Sequence, residues 1–327
     1  MATDNENHNE IDIDGRTYNK ASGNIWYALA TIEGEPKRAG DVSLVNKNRF
    51  YWNGYMRLLI GEKKYKTAQL PSKIGFELPK LGKNDIGFVN TRLTSLGFDV
   101  NDLQNDTIDF SLLYLPLCHF ENFVFLKKVD FYRTKFSRWV YFKDSVFYRD
   151  AIFAKSVFDE WSDFLNSKFC GSAIFDDCTF NQSVSFKQAT FSRGVFFSGA
   201  DFVERVDFRE AKFFVELDFG PGESDKKTTF RSNPPEFFNA NTPENVRWSD
   251  VKFPASRGIS RSIAIKHKDA YERLGLMMDK LNKHHDKHMF FRLEMRTRRQ
   301  MEKIPLTRSI NWAYEFLSDY GLSLIHI

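Results

Sequence analysis

Phenylalanine recurs along the middle of the chain with gaps that alternate strictly between five and six residues. It stands at Phe120, Phe125, Phe131, Phe136, Phe142, Phe147, Phe153, Phe158, Phe164, Phe169, Phe175, Phe180, Phe186, Phe191, Phe197, Phe202, Phe208, Phe213 and Phe219. Two residues before each stands a small or apolar residue, as at Val129, Val140, Ala151, Ala173, Cys178, Ala189, Ala200, Val206 and Ala211. Charge fills the places between, as in Arg205, Asp207, Arg209 and Glu210. Each unit therefore has two inward positions and an outward remainder.

An eleven-residue period also fits a right-handed helical supercoil, but a step of five would then turn by about 131° and split the rings onto two stripes. The segment is rich in Phe, Val, Ser, Thr and Asp, a weak helical composition. Ordinary strands need alternation with period two over four to eight residues, which is absent. What remains is a solenoid of very short extended segments with a bend every five or six residues. Four segments close a square coil of 22 residues, so residues 22 apart stack at about 4.8 Å. Phe120, Phe142, Phe164, Phe186 and Phe208 form one such column. Phe230 is 22 beyond Phe208 and is assigned to the same column, with Ser224 where another Phe was due. Beyond Arg231 the phase slips, but Val246/Trp248 and Val251/Phe253 keep the pair spacing. Asp109-Phe110 to Pro116 reads as the lead-in, and about six coils, roughly 30 Å long, follow from the spacing.

Val129-Asp130-Phe131, Ala173-Ile174-Phe175 and Ala200-Asp201-Phe202 resemble pentapeptide-repeat proteins, in a Phe-centred variant with a sixth residue in alternate units. The resemblance covers about 108–253. It implies a mainly β chain, a right-handed quadrilateral β-helix, and carries little about activity.

The flanks lack the repeat. Residues 1–107 form a mixed, irregular or α-helical region with a polar start, of which the first 14 or so residues are expected to be disordered. Tyr51-Trp52-Asn53 resembles the short helical leads found before such solenoids, and Pro71–Leu81 reads as loop. Asp12, Asp14 and Gly15 have the opening spacing of a calcium loop, but Ala21 stands where its bidentate acid is needed. Residues 254–327 read as a helical hairpin over the open end of the solenoid. Ser260 or Ser262 caps a helix bearing Ala270, Tyr271, Leu274, Met278 and Leu281, and Asp286 caps a second bearing Met289, Phe290 and Leu293. Pro305 ends that helix, and a third amphipathic stretch carries Ile310, Ala313, Tyr314 and Leu317. Phe290-Phe291-Arg292 and Ser318-Asp319-Tyr320-Gly321 resemble the tail of bacterial relatives that continue into membrane spans, which implies a chain truncated before them.

Charge and candidate chemistry narrow the function. The 327 residues include 34 Phe and carry a formal net charge of +4. Residues 1–117 hold 14 basic and 15 acidic side chains, 118–230 hold 16 and 17, and 231–327 hold 17 and 11. A balanced solenoid disfavours both nucleic acid as partner and the acidic mimicry of DNA toward topoisomerase that some relatives are thought to practise. Cys118, Cys170 and Cys178 are too few and odd for a disulfide framework and suit a reducing, cytoplasmic setting. His284, His285 and His288 are the one histidine cluster and read as lying across a helix–helix turn; His119 faces outward without a partner. No phosphate loop, nucleophile motif or paired-carboxylate arrangement points to an enzyme, and no cofactor or metal is expected. Arg138 with Glu160, and Lys155 with Asp177, are 22 apart and predict cross-coil ion pairs. Trp139 and Trp161, also 22 apart, predict a stacked outward patch with Tyr132, Tyr141 and Tyr148 near the same end, suited to an unknown protein partner or to cover by the chain itself. Arg292, Arg296, Arg298 and Arg299 form a basic outward face, with lipid proximity as its functional reading. The sequence thus points to a non-enzymatic scaffold, with the soluble portion of a membrane-anchored sensor or channel-like protein as the alternative.

Overall fold

The computed structural model describes residues 9–38, 40–60, 78–256 and 258–301, and its centre is a parallel β-solenoid of about five turns. The chain winds through four walls in order. The first holds Cys118–His119, Val140–Tyr141, Ser162–Asp163, Val184–Ser185 and Val206–Asp207. The second runs from Val124–Phe125 to Lys212–Phe213, the third from Thr107–Asp109 to Asn245–Arg247, and the fourth from Leu113–Leu115 to Thr229–Phe230. Solenoid strands are two or three residues long because the chain bends before a third or fourth ladder bond can form. The expected six coils become about five, since two walls end at five strands and only the other two extend further.

The interior is the phenylalanine ladder. All twenty rings from Phe120 to Phe230 named above are at most 2% exposed. Rings 22 apart lie 4.6 to 5.4 Å between centroids with planes within 14°, as for Phe136–Phe158 and Phe197–Phe219. Burying each ring contributes about 2–3 kcal/mol from area alone. The small inward positions are not merely apolar. Thr134 Oγ1 donates to Phe110 O at 2.6 Å, Ser156 Oγ to Phe131 O at 2.5 Å and Ser145 Oγ to Phe120 O, so hydroxyls pair a carbonyl one coil back. The ladder also starts earlier than the 22-residue count implies: Phe110 stacks on Phe131 at 4.9 Å across 21 residues.

The largest change of register comes after Phe219. Phe230 stacks on Phe202 at 5.0 Å, 28 residues away, and not on Phe208. Phe208 instead meets Phe237, and Phe219 meets Trp248, each 29 residues on. Phe230 is therefore inward but on the fourth-wall column, which corrects the assignment from spacing. The cause is the extra chain between Phe219 and Thr229, which loops out through a short 3-10 turn at Glu223–Asp225 and rejoins the wall six residues late. Ion pairs fasten the shifted coil: Arg231 to Asp201 at 2.5 Å, Arg205 to Glu236 at 2.7 Å and Arg247 to Asp218 at 2.6 Å.

Helices close both ends. Before the solenoid lie the hairpin β1 (Glu10–Ile13) and β2 (Arg16–Lys20), then α1 (Ile25–Ala30), α2 (Val42–Ile60) and α3 (Lys83–Ser95). The calcium-like Asp14-Gly15 is the hairpin's two-residue turn, both residues at positive φ. β2 pairs with Leu113–Leu115 and lengthens the fourth wall. Asn24 caps α1 through Tyr27 N and ties it to Asp109 O. Trp52 and Asn53 of α2 sit on the first coil: Trp52 Nε1 donates to Val124 O at 3.0 Å, while Asn53 accepts from Val124 N and donates to Asn122 O, each at 2.9 Å. Asn53 thus fills the hydrogen-bonding role of the strand that a preceding coil would supply. At the other end, α4 (Arg261–Lys280), capped by Ser260, and α5 (His284–Met301) form the hairpin, with Phe290 5.3 Å from Trp248 and Tyr271 5.9 Å from Phe253. α5 starts two residues before Asp286, which lies in its first turn and is not its cap. Pro305, the third amphipathic stretch and most of Pro71–Leu81 lie outside the described residues.

Candidate functional site

The outward aromatics divide between walls, because a residue's place in the 22-residue coil decides which wall it decorates. Trp139, Tyr141 and Trp161 share the first wall. Tyr132 sits in the turn between the third and fourth walls, where Lys155 lies 5.8 Å from its ring, and Tyr148 follows the second-wall strand. The five do not make one patch. The two tryptophans make no direct stack either; they flank Tyr141 edge-on, at 6.3 and 6.0 Å. The reason is geometric: each precedes its strand, and the ring of Tyr141, inside the strand, comes between them. His119, far from solvated, is 8% exposed beneath Tyr141, with ring centroids 4.7 Å apart and Nδ1 3.2 Å from Glu121 Oε2. A crevice of about 220 Å³ separates it from Val45 and Arg49 of α2.

The remaining patch is open. Trp139 is 44% exposed and Trp161 37%, and an open groove of about 580 Å³ runs between them and Asp159, Glu160, Gln182 and Ser183. Among the described residues no helix or hairpin covers it. Asp159 is occupied by Lys135 at 2.7 Å and by Asn181 at 3.0 Å. Glu160 has no ion-pair partner among the described residues: the pair predicted with Arg138 does not form, and Lys155 turns to Glu223 at 2.6 Å in place of Asp177. Burial pushes the Tyr141 hydroxyl and the Asp163 carboxyl up. The groove thus presents two indole faces and one uncompensated carboxylate, a combination that attracts cationic side chains.

Other candidates change character in the structure. Arg292, Arg296, Arg298 and Arg299 are half-buried on α5, not a solvated face; Arg298 grips the buried Glu294 one turn back at 2.6 Å, and the other three are engaged as well. His284, His285 and His288 lie on α5 itself, not across a turn. Among the described residues no group of three or more ligands is placed to hold a metal. Cys118 and Cys178 are buried, with thiols pushed up by burial, and Cys170 is half-buried.

Comparison with known families meets the same segment. The family model for pentapeptide repeats (9 copies) matches residues 120–168 and 175–220, the stretches that wind the four walls. The solenoid is a pentapeptide-repeat domain. No curated protein and no solved structure matches it. The gap between the two matched stretches, 169–174, is not a break in the pentapeptide coil, since Phe169 and Phe175 keep the ladder and Ala173–Ile174 pairs on both sides. The pentapeptide-repeat architecture fits a non-enzymatic repeat protein. No helix among the described residues is long and apolar enough to cross a membrane.

The sequence missed the turn residue. A non-glycine residue at positive φ recurs every eleven positions, at Asn122, Arg133, Asp144, Lys155, Asn166, Asp177 and Gln188. The signal was present in the Asn and Asp at 22-residue steps on one corner, the residue types that tolerate this backbone.

Proposed function

We propose that this protein is a non-enzymatic scaffold whose first wall docks a partner protein through a cationic segment of that partner. The observation that carries the reading is the pair of exposed indoles, Trp139 and Trp161, packed on Tyr141 beside Glu160, which has no ion-pair partner among the described residues. Solvent-facing indoles on a rigid β-wall lose little conformational freedom on binding, and Trp is enriched among residues that dominate interface energy. Glu160 supplies the charge that selects Lys or Arg over a neutral side chain, and the solenoid supplies the rigidity.

The test uses the full chain as bait with a photo-crosslinker on the first wall, comparing wild type with Trp139→Ala/Trp161→Ala and with Glu160→Gln. The reading expects a crosslinked segment rich in Lys or Arg, lost in the double variant and weakened in Glu160→Gln. It also expects the double variant to lose less than about 1 kcal/mol of stability, as exposed positions do. A neutral or acidic captured segment, or capture that survives the double variant, contradicts it.

A further inference from the structure

The corner between the third and fourth walls carries a second cleft, independent of the docking wall. Successive corner residues one coil apart, Leu112, Arg133, Lys155 and Asp177, line it, all at positive φ. Its ends are the two elements that depart from the repeat: the start of β2, with Arg16 and Tyr18, and the inserted loop, with Lys226. The space is about 520 Å³, within the range that small-molecule ligands occupy. Three coil steps make it roughly 14 Å long.

Its charge is uneven. Arg16, Arg133, Lys155 and Lys226 face the single carboxylate of Asp177. Lys155 is paired with Glu223, and Lys226 reaches Asp177 O at 3.3 Å, so the loop end is compensated. Arg16 and Arg133 are exposed and make no ion pair among the described residues; Arg133 lies over the Tyr132 ring at 5.3 Å and feels Glu223 only at longer range, so the hairpin end keeps cationic charge to spare. The corner between the first and second walls gives the contrast. There the same backbone positions hold Asn122, Asp144, Asn166, Gln188 and Glu210, bonded coil to coil, as Asn166 to Asp144 at 2.6 Å and Gln188 to Glu210 at 2.8 Å. Left-handed backbone favours short Asn and Asp, as at Asn122, Asp144 and Asn166, and like charges on adjacent coils repel. Arg133 and Lys155 go against both, and like charges follow one another on adjacent coils at this corner and not at the other, which is the mark of a functional position.

We propose that this cleft binds a phosphate-bearing small molecule of nucleotide size, its phosphate held by Arg16 and Arg133 and its body lying on Leu112 and Val157. Guanidinium forks meet phosphate oxygens two at a time, whereas an ammonium offers only a point charge. Isothermal titration of the full chain at low salt with pyrophosphate, ADP and adenosine tests it. The proposal expects ADP to bind more tightly than pyrophosphate, adenosine not to bind, and ADP affinity to fall as salt rises. Arg16→Ala with Arg133→Ala should weaken ADP at least tenfold with an unchanged melting temperature, while Lys212→Ala, an exposed cation on the second wall, should leave binding intact. No heat from either phosphate, undiminished binding in the double variant, or equal loss in Lys212→Ala overturns the site. Equal affinity for pyrophosphate and ADP overturns the role given to Leu112 and Val157.

Discussion

The two ends of the solenoid are closed by different chemistry. At the N-terminal end α2 bonds to the coil's backbone through Trp52 and Asn53, and β2 adds a true strand to one wall. At the C-terminal end the hairpin of α4 and α5 meets the last rings edge-on, Phe290 against Trp248 and Phe253 at 5.3 and 5.5 Å. The N-terminal cap leaves the Tyr27 hydroxyl near Glu35 without a well-formed hydrogen bond among the described residues, yet its contact with the coil is polar and matched. The C-terminal cap buries Trp248 Nε1 and the Tyr271 hydroxyl without hydrogen-bond partners among the described residues, and gives the His267 ring no more than the backbone of Ser232. Each unpaired buried group costs about 1–3 kcal/mol. The comparison teaches that apolar cover is enough to shut the tube, but that matched hydrogen bonds make the N-terminal closure the stronger and more specific of the two.

The largest effect expected is from Trp52→Ala, about 4–5 kcal/mol in denaturant unfolding, since it removes a fully buried indole, its bond to Val124 O and its stacking on Phe123 at 5.3 Å. Phe290→Ala should cost about 3–4 kcal/mol, with helical signal lost before the solenoid melts. A greater loss from Phe290→Ala than from Trp52→Ala would reverse the ranking of the ends. Asn53→Ala, which strands Val124 N–H and Asn122 O, should cost about 2 kcal/mol, although the substitution removes almost no apolar area.

The smallest effect depends on pH. Burial pushes the pKa of His267 below its ordinary 6.5. A depressed histidine contributes stability that is present above the unfolded value and lost as pH falls through the folded one. Helical signal from α4 and α5 should therefore weaken as pH falls below 6.5, with the N-terminal cap unaffected, and His267→Leu should abolish that dependence. Loosening of both ends together would show that His267 is not its source.

What the sequence made legible follows the same divide. The ladder was readable because core positions recur at a fixed step, so Phe120 to Phe219 declare themselves without any partner being known. The N-terminal cap was legible only as the helical lead at Tyr51-Trp52-Asn53, because the contact of Asn53 with Val124 joins residues 71 apart and leaves no periodicity. The register slip was hidden by coincidence: Phe230 lies one nominal coil beyond Phe208, although its ring rests on Phe202. The aromatic surface was half legible. Spacing put Trp139 and Trp161 on one wall, but only coordinates reveal Tyr141 between them and Tyr132 around the corner.

The central claim is that each inward ring rests on the ring one coil later, and that the inserted loop resets which ring that is. A pair of double-mutant cycles on unfolding free energy, Phe202→Leu with Phe230→Leu and Phe208→Leu with Phe230→Leu, tests it most directly. The account predicts a coupling of about 0.5–1.5 kcal/mol between Phe202 and Phe230, and none beyond about 0.3–0.5 kcal/mol between Phe208 and Phe230. Coupling of Phe230 to Phe208 in place of Phe202 would contradict the stacking on which the fold rests.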